Sequence, residues 1–163
     1  MNDDSLFRLC AESDVTRVQS LADELYDSDP NTKNIRPDLR LTYEELHQKP
    51  EKGRLIVFQS EDELIGYCIA IFFWSNEYRG NILEIDELYV AEKWRSTGVG
   101  TKLFGWLERT FVEEVVGFSL QVANHNKPAL RFYQRLGFLP ARNEHMIRIL
   151  AKAAVCPTPS KAM

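Results

Sequence analysis

Leu88-Tyr89-Val90-Ala91-Glu92-Lys93-Trp94-Arg95-Ser96-Thr97-Gly98-Val99-Gly100-Thr101-Lys102-Leu103 is the stretch on which the fold turns. Its start closes a predicted strand over residues 81–91, with Leu83, Ile85 and Tyr89 on one face and Leu88 and Val90 on the other. Its end opens a helix: Val99, Leu103, Leu107, Phe111 and Val115 recur four apart. A strand therefore runs through a turn with two glycines straight into a long helix. Glycine lets the backbone adopt open dihedrals and come close to a ligand. The first helical turn leaves N–H groups unpaired, and the helix dipole adds partial positive charge there. With Arg95 and Lys102 adding full charges, the segment reads as a phosphate cradle.

Two better-known glycine loops do not fit. A Walker loop needs G-x-x-x-x-G-K-[ST], and the first Gly and the Gly-Lys pair are both missing. A dinucleotide fingerprint needs a third glycine three residues after Gly100, where Leu103 stands. What remains is R-x-x-G-x-G, Arg95 to Gly100, which would occur by accident in about one chain in twenty-five of this length. A second block supports it: Asn126-Lys127-Pro128-Ala129-Leu130-Arg131-Phe132-Tyr133-Gln134-Arg135-Leu136-Gly137-Phe138.

Outward from these blocks the pattern is an alternation of strands and helices. Residues 7–10 predict a short strand, and Glu12-Ser13-Asp14 a cap for a helix carrying Val15, Val18, Leu21, Ala22 and Leu25. That helix ends near residues 27–30. Thr42-Tyr43-Glu44-Glu45 starts a second, short helix that stops before Pro50. Residues 54–59 and 64–74 predict strands joined by the acidic turn at 60–63. After the central helix come a strand at 118–122 and a helix at 127–136, with Pro128 in its first turn and Gly137 as its left-handed cap. Residues 138–142 and 145–150 predict two last strands. The expectation is an α/β (α+β) fold: a mixed, mostly antiparallel seven-stranded sheet flanked by about four helices. One domain is expected over residues 1–150, with a tail at 151–163 that contains Pro157 and Pro159.

Composition sets the class. The chain has 163 residues, 44% hydrophobic and 27% charged, so it can bury a core without metal or disulfide staples. The longest run free of charge, residues 64–76, is too short to span a bilayer, so no membrane partner is expected. Asp3 and Asp4 stand where a secretory leader needs basic and apolar residues. Cys10, Cys68 and Cys156 are odd in number and far apart, and read as reduced thiols of a cytoplasmic protein. Net charge is −4, but residues 1–92 hold 9 Lys+Arg against 20 Asp+Glu, while residues 93–163 hold 11 against 4. The second part could hold an anion and the first a cation. Neither the net charge nor any motif points to nucleic acid.

The two blocks together resemble the GNAT superfamily of acyl-CoA-dependent N-acyltransferases. Arg95 to Gly100 is similar to its pyrophosphate-binding R/Q-x-x-G-x-G/A motif. Asn126, Ala129, Tyr133, Gly137 and Phe138 are similar to its N-x-x-A-x-x-x-Y-x-x-x-G-F signature. The resemblance implies acetyl-CoA as acyl donor, lying where the strand ending near Val90 splays from the strand ending near Val122. It places backbone contacts to the thioester and pantetheine arm at Leu88, Tyr89 and Val90. Pyrophosphate contacts fall at Arg95, Ser96, Thr97, Gly98, Val99, Gly100 and Thr101. It gives Asn126 to the pantetheine arm and makes Tyr133 the acid that protonates the departing thiolate. No metal is implied.

The resemblance also calls for a base to deprotonate the amine, and Glu84, Asp86 and Glu87 are the candidates. On a regular strand Glu84 and Asp86 share a face with Leu88 and Val90 while Glu87 faces away; a bulge would change that parity. Glu84, eleven residues before Arg95, matches a catalytic Glu of several family members. Glu87 and a water chain are the alternatives, with Glu87 otherwise an acceptor contact. Tyr26, near the end of the first helix, matches a position that lines the family's acceptor site. Plainer readings stand beside these: Tyr133 as a core aromatic, Asn126 as a helix cap, Arg95 and Lys102 as solvated charges. The implied reaction is direct attack of a primary amine on acetyl-CoA in a ternary complex. The charge gradient favours a cationic small molecule or basic peptide as acceptor. The alternative is a catalytically silent module of the same fold that binds acyl-CoA as a regulatory ligand. A homodimer is a compatible assembly.

Overall fold

Three runs rich in β-branched and aromatic residues build the centre of a sheet. They are β2 (Gly53–Ser60), β3 (Glu63–Ser75) and β4 (Gly80–Val90), in a computed structural model that describes residues 3–141 and 146–149. β1 (Phe7–Leu9) pairs antiparallel with β2, and β5 (Gly117–Leu120) pairs parallel with β4, giving the order β1-β2-β3-β4-β5. A parallel neighbour needs a crossover, and α3 (Val99–Phe111) supplies it. Helices α1 (Val15–Ser28) and α2 (Leu39–Gln48) lie between β1 and β2 in the chain, and α4 (Lys127–Arg135) follows β5.

Each face of the sheet has its own core. On one face Val18 and Leu21 of α1 and Leu39 and Leu46 of α2 pack with Leu55, Val57, Tyr67, Ile69 and Tyr89. On the other, Leu103, Leu107 and Phe111 of α3 pack with Ile56, Cys68, Ala70, Leu83 and Ile85, and Phe132 and Tyr133 of α4 lie against them. Cys68 is buried and Cys10 half-buried, both as free thiols.

β4 is not regular. Ile69 of β3 opposes Glu87, while the next residue, Ala70, opposes Ile85, so Asp86 is an extra residue in the β4 strand. The bulge reverses the alternation. Leu83 and Ile85 before it share the α3 face with Leu88 and Val90 after it. Glu84 and Glu87 consequently share the opposite face, opposite Ile71 and Ile69 respectively. The parity of a regular strand, with Glu84 beside Leu88 and Glu87 opposed, does not hold.

Other boundaries differ from the sequence expectation by a few residues. α2 starts at Leu39 rather than near Thr42, because Asp38 caps it by accepting a hydrogen bond from Leu41 N at 3.1 Å. β5 stops at Leu120 rather than Val122. Among the described residues the sheet has five strands rather than the seven expected. After Gly137, at φ +89°, Phe138 N donates to Tyr133 O and its ring packs 5.4 Å from that of Phe104. The Phe138 N–H and ring are thus used in closing α4 rather than in a strand. Leu139, Met146 and Ile147 are 87%, 89% and 67% exposed, and the described parts of the expected strands, residues 138–141 and 146–149, are not in strand. The remainder of those two strands, residues 142, 145 and 150, and the expected tail at 151–163 lie outside the described residues.

Candidate functional site

The ladder between β4 and β5 runs only from Ile82–Gly117 to Ile85–Leu120. Beyond it lies a cleft of about 530 Å³, lined by Asp86, Glu87 and Leu88 of β4 and by Leu120 to Ala123 past β5. Asn126, Ala129 and Tyr133 of α4 and Tyr26 of α1 complete its wall.

A second cavity of about 630 Å³ shares Leu88, Ala129 and Tyr133 with this cleft and adds Val90, Arg95, Ser96, Gly98, Val99, Gly100, Thr101, Arg131 and Arg135. Among the described residues its lining holds three arginines and no carboxylate. The turn is shaped by two left-handed residues, Ser96 at φ +63° and Gly98 at φ +89°, which aim the chain into the N-terminus of α3. Gly100 has a packing reason: a Cβ there would sit 2.7 Å from Phe132 Cζ, so α3 and α4 approach through it. Arg95 donates from Nε to Val90 O at 2.9 Å and lies over the Tyr89 ring. Thr97 Oγ1 donates to Trp94 O at 2.6 Å. Thr97 and Tyr89 do not line the cavity; Tyr89 faces α1 and donates to Glu24 at 2.8 Å. This basic pocket, with a helix N-terminus at its edge, suits the pyrophosphate and phosphate groups of a coenzyme A ester.

Tyr133 stands where the basic cavity meets the cleft. Its ring packs 6.0 Å from that of Phe104 and 5.7 Å from that of Phe138. Burial, and then the neighbouring Cys68, push its phenol up to about 12, so it holds its proton throughout the neutral range. Asn126 also lines the cleft, and caps α4 by accepting from Ala129 N at 3.2 Å.

On the far side of the cleft a groove of about 570 Å³ shares Tyr26, Asp86 and Glu87 with it. Ile69 and Ile71 of β3 lie along it, with Asp38, Leu41, Glu45 and Leu46 from α2 and its cap. Cleft and groove together are lined by the carboxylates Asp29, Asp38, Glu45, Asp86 and Glu87 and by one amine, Lys52, which Glu45 holds.

Glu87 links the two spaces. Tyr26 OH donates to its Oε1 at 2.6 Å and Tyr67 OH to its Oε2 at 2.7 Å. Burial raises its carboxyl above the ordinary range and Asp86 adds to the rise, while the two phenols pull it down; burial is the strongest of these. Glu84 lies elsewhere on the same face. Ser119 Oγ donates to it, Gln121 Nε2 approaches at 3.5 Å, and it lines none of these three spaces.

The structure therefore brings Tyr26, Glu87, Leu88, Asn126 and Tyr133 around one cleft, continuous with the Arg95 to Thr101 turn, and leaves Glu84 outside it. Sequence reasoning passed over Tyr67, Arg131, Arg135 and the α2 wall. The two arginines had a signal, since they lie four apart on α4 beside the Asn126 block. Tyr67 had none, because its alignment with Glu87 exists only once the bulge is known. Among the described residues no group of three or more His, Cys, Asp or Glu is placed to hold a metal, and no helix is long and apolar enough to cross a membrane.

A sequence profile of the acetyltransferase (GNAT) family matches residues 18–138. No curated protein matches significantly. Among solved structures, an integron cassette protein from the mobile metagenome of Cole Harbour Salt Marsh superposes with a TM-score of 0.76 at 20% identity, over 92% of this chain and 93% of that one. A possible acetyltransferase from Clostridium difficile 630 gives 0.72 at 21%, over 88% and 97%. The ribosomal-protein-alanine N-acetyltransferase of Brucella melitensis biovar Abortus 2308 gives 0.68 at 17%, over 88% and 99%. At these identities the likeness is one of fold.

Proposed function

This chain belongs to the acetyltransferase (GNAT) family, and on that premise we propose that it acetylates the primary amine of a cationic acceptor by direct attack on acetyl-CoA in a ternary complex. The observation that carries this reading is the segregation of charge across β4: three arginines around one cavity, five carboxylates around the other two spaces, with Glu87 on one side of the cleft and Tyr133 on the other. Acetyl-CoA, when bound, would supply the acetyl group as a thioester, and CoA would leave as the thiolate.

The chain's own residues divide the remaining work. Arg95, Ser96, Gly98, Val99, Gly100 and Thr101 hold the pyrophosphate, Thr97 braces the turn through Trp94 O, and Arg131 and Arg135 add charge. Leu88, Tyr89 and Val90 offer backbone groups where β4 has no β5 partner, and one N–H there stabilises developing negative charge on the carbonyl oxygen. Asn126 orients the pantetheine arm. The acidic groove gathers the acceptor as an ammonium, and Glu87 takes the proton that must leave nitrogen before it attacks. Tyr133 gives a proton to the departing sulfur; the second proton that nitrogen sheds as the amide forms passes to solvent, from which Tyr133 is reprotonated, and Glu87 releases the first to solvent. Glu87 is preferred to Glu84 as the base because it lines the cleft and its raised carboxyl is matched to proton transfer nearer neutrality.

The test is CoA thiol release with a panel of polyamines, aminoglycosides and basic peptides beside neutral and anionic amines. A cationic amine should be the best acceptor. Acetyl-CoA binding without release to any amine would leave a silent acyl-CoA-binding module. A neutral or anionic best acceptor would reduce the charge segregation to solubility.

A further inference from the structure

Glu87 carries two phenols, one on each oxygen, and they sit in different mechanical surroundings. Tyr67 is 0% exposed, in the middle of β3, paired with Val57 on one side and Tyr89 on the other. It cannot leave without opening the centre of the sheet, and without Glu87 its buried hydroxyl would lose this partner. Tyr26 is half-buried in the last turn of α1, ahead of the irregular segment 29–38, and lines both the cleft and the groove. The same carboxylate is therefore gripped by one fixed donor and one that stands in the path an acceptor must use.

We propose that Tyr67 is a permanent positioning residue for Glu87, whereas Tyr26 is an exchangeable donor whose hydroxyl the acceptor's ammonium replaces, which makes Tyr26 a specificity-determining position. The proposal rests on the reading of Glu87 as the base. A charge-assisted hydrogen bond is roughly twice as strong as a neutral one, so exchanging phenol for ammonium at Oε1 is favourable. The incoming nitrogen then arrives already in contact with the oxygen that takes its proton. An uncharged acceptor has no such advantage over the phenol, so protonated amines are the class selected.

The groups facing Glu87 define the pH signature. Tyr26 and Glu24 come from α1 and Asp29 from its cap, Tyr67 from β3, Asp86 and Tyr89 from β4, and Asp38, Glu45 and Lys52 from the groove wall, while Cys68 lies on the far face of β3. The two phenols lower the Glu87 carboxyl against burial and Asp86. Deleting either hydroxyl raises it in the free protein, and activity that needs the carboxylate then starts at higher pH. Once the acceptor has replaced Tyr26, only Tyr67 still acts.

The experiment compares Tyr67→Phe, Tyr26→Phe and the parent in pH profiles of kcat/KM, which reports the free enzyme, and of kcat, which reports the ternary complex. The acceptor's own ionisation is common to all three and cancels. In kcat/KM both variants should move the acidic limb up, by about half to one pH unit. In kcat only Tyr67→Phe should move it, and Tyr26→Phe, with no phenol to displace, should narrow the parent's preference for cationic over neutral amines. A carbon-13 titration of the Glu87 carboxyl in the unliganded protein reads the free-state shifts without turnover. Equal shifts in kcat for both variants would mean that Tyr26 stays on Glu87 through the reaction, overturning the exchange. No shift for Tyr67→Phe, in a protein whose thermal melt matches the parent, would leave Tyr67 a packing role only. A Glu87→Gln variant with parental turnover is a separate failure: it removes the base and the ammonium exchange together.

Discussion

On the basic side of β4, fifteen or so consecutive residues build most of a binding site; on the acidic side, no two of the groups that matter are neighbours in the chain except Asp86 and Glu87. The basic cavity takes its shape from the turn between β4 and α3, with Ser96 and Gly98 left-handed and a helix N-terminus at the end. The acidic groove draws Tyr26 from α1, Asp38 and Glu45 from α2 and its cap, Tyr67 from β3 and Glu87 from β4. Backbone recognition of phosphate needs only a local conformation, so it can be carried by a motif. A base with tuned burial and donors needs packing from several elements, so it cannot.

The largest expected effect sharpens this contrast on the acidic side. Glu87→Gln should lower kcat by about 10²- to 10⁴-fold and remove the acidic limb of the pH–rate profile, with acetyl-CoA affinity unchanged by titration calorimetry. Glu84→Gln, outside the cleft, should cost less than about tenfold by the same criterion. The reverse order of these two variants would return the base to Glu84 and break the comparison.

Tyr133→Phe comes next, since it lies where the two sides meet. The ring still packs, and only the proton is lost, so kcat should fall by about 10- to 1000-fold with little change in acetyl-CoA affinity. Because burial pushes the parent phenol up to about 12, no basic limb from Tyr133 should appear in the neutral range. Unchanged turnover under conditions where chemistry limits the rate would leave Tyr133 its packing with Phe104 and Phe138.

Gly100→Asp probes the basic side alone. A carboxylate at the phosphate site, and a Cβ that meets Phe132 at 2.7 Å, should weaken acetyl-CoA binding by about 30-fold or more, corresponding to about 2 kcal/mol. Equal affinity for variant and parent would end the phosphate-cradle assignment. The smallest effect is that of salt. Raising ionic strength should increase both KM for a cationic acceptor and Kd for acetyl-CoA by a few-fold, because both charged surfaces are screened. A salt response on the acetyl-CoA side only would mean that the acidic groove does not attract its ligand by charge.

The sequence by itself determined the α/β class, the order of β1 to α4, the turn at Arg95 to Gly100, the cap at Asn126 and the place of Tyr133 on α4. These follow from periodicity, glycine conformation and capping, which act over a few residues and leave their mark at fixed spacing. Tertiary structure decided the rest. It reversed the alternation of β4 at Asp86, which put Glu84 and Glu87 on one face and left Glu87, not Glu84, in the cleft. It set Tyr67 against Glu87 across β3, and it ended β5 at Leu120 so that the cleft could exist. An extra residue in a strand is a property of pairing, and a strand's pairing partner is not encoded in that strand alone; one such residue moves every side chain beyond it to the other face of the sheet.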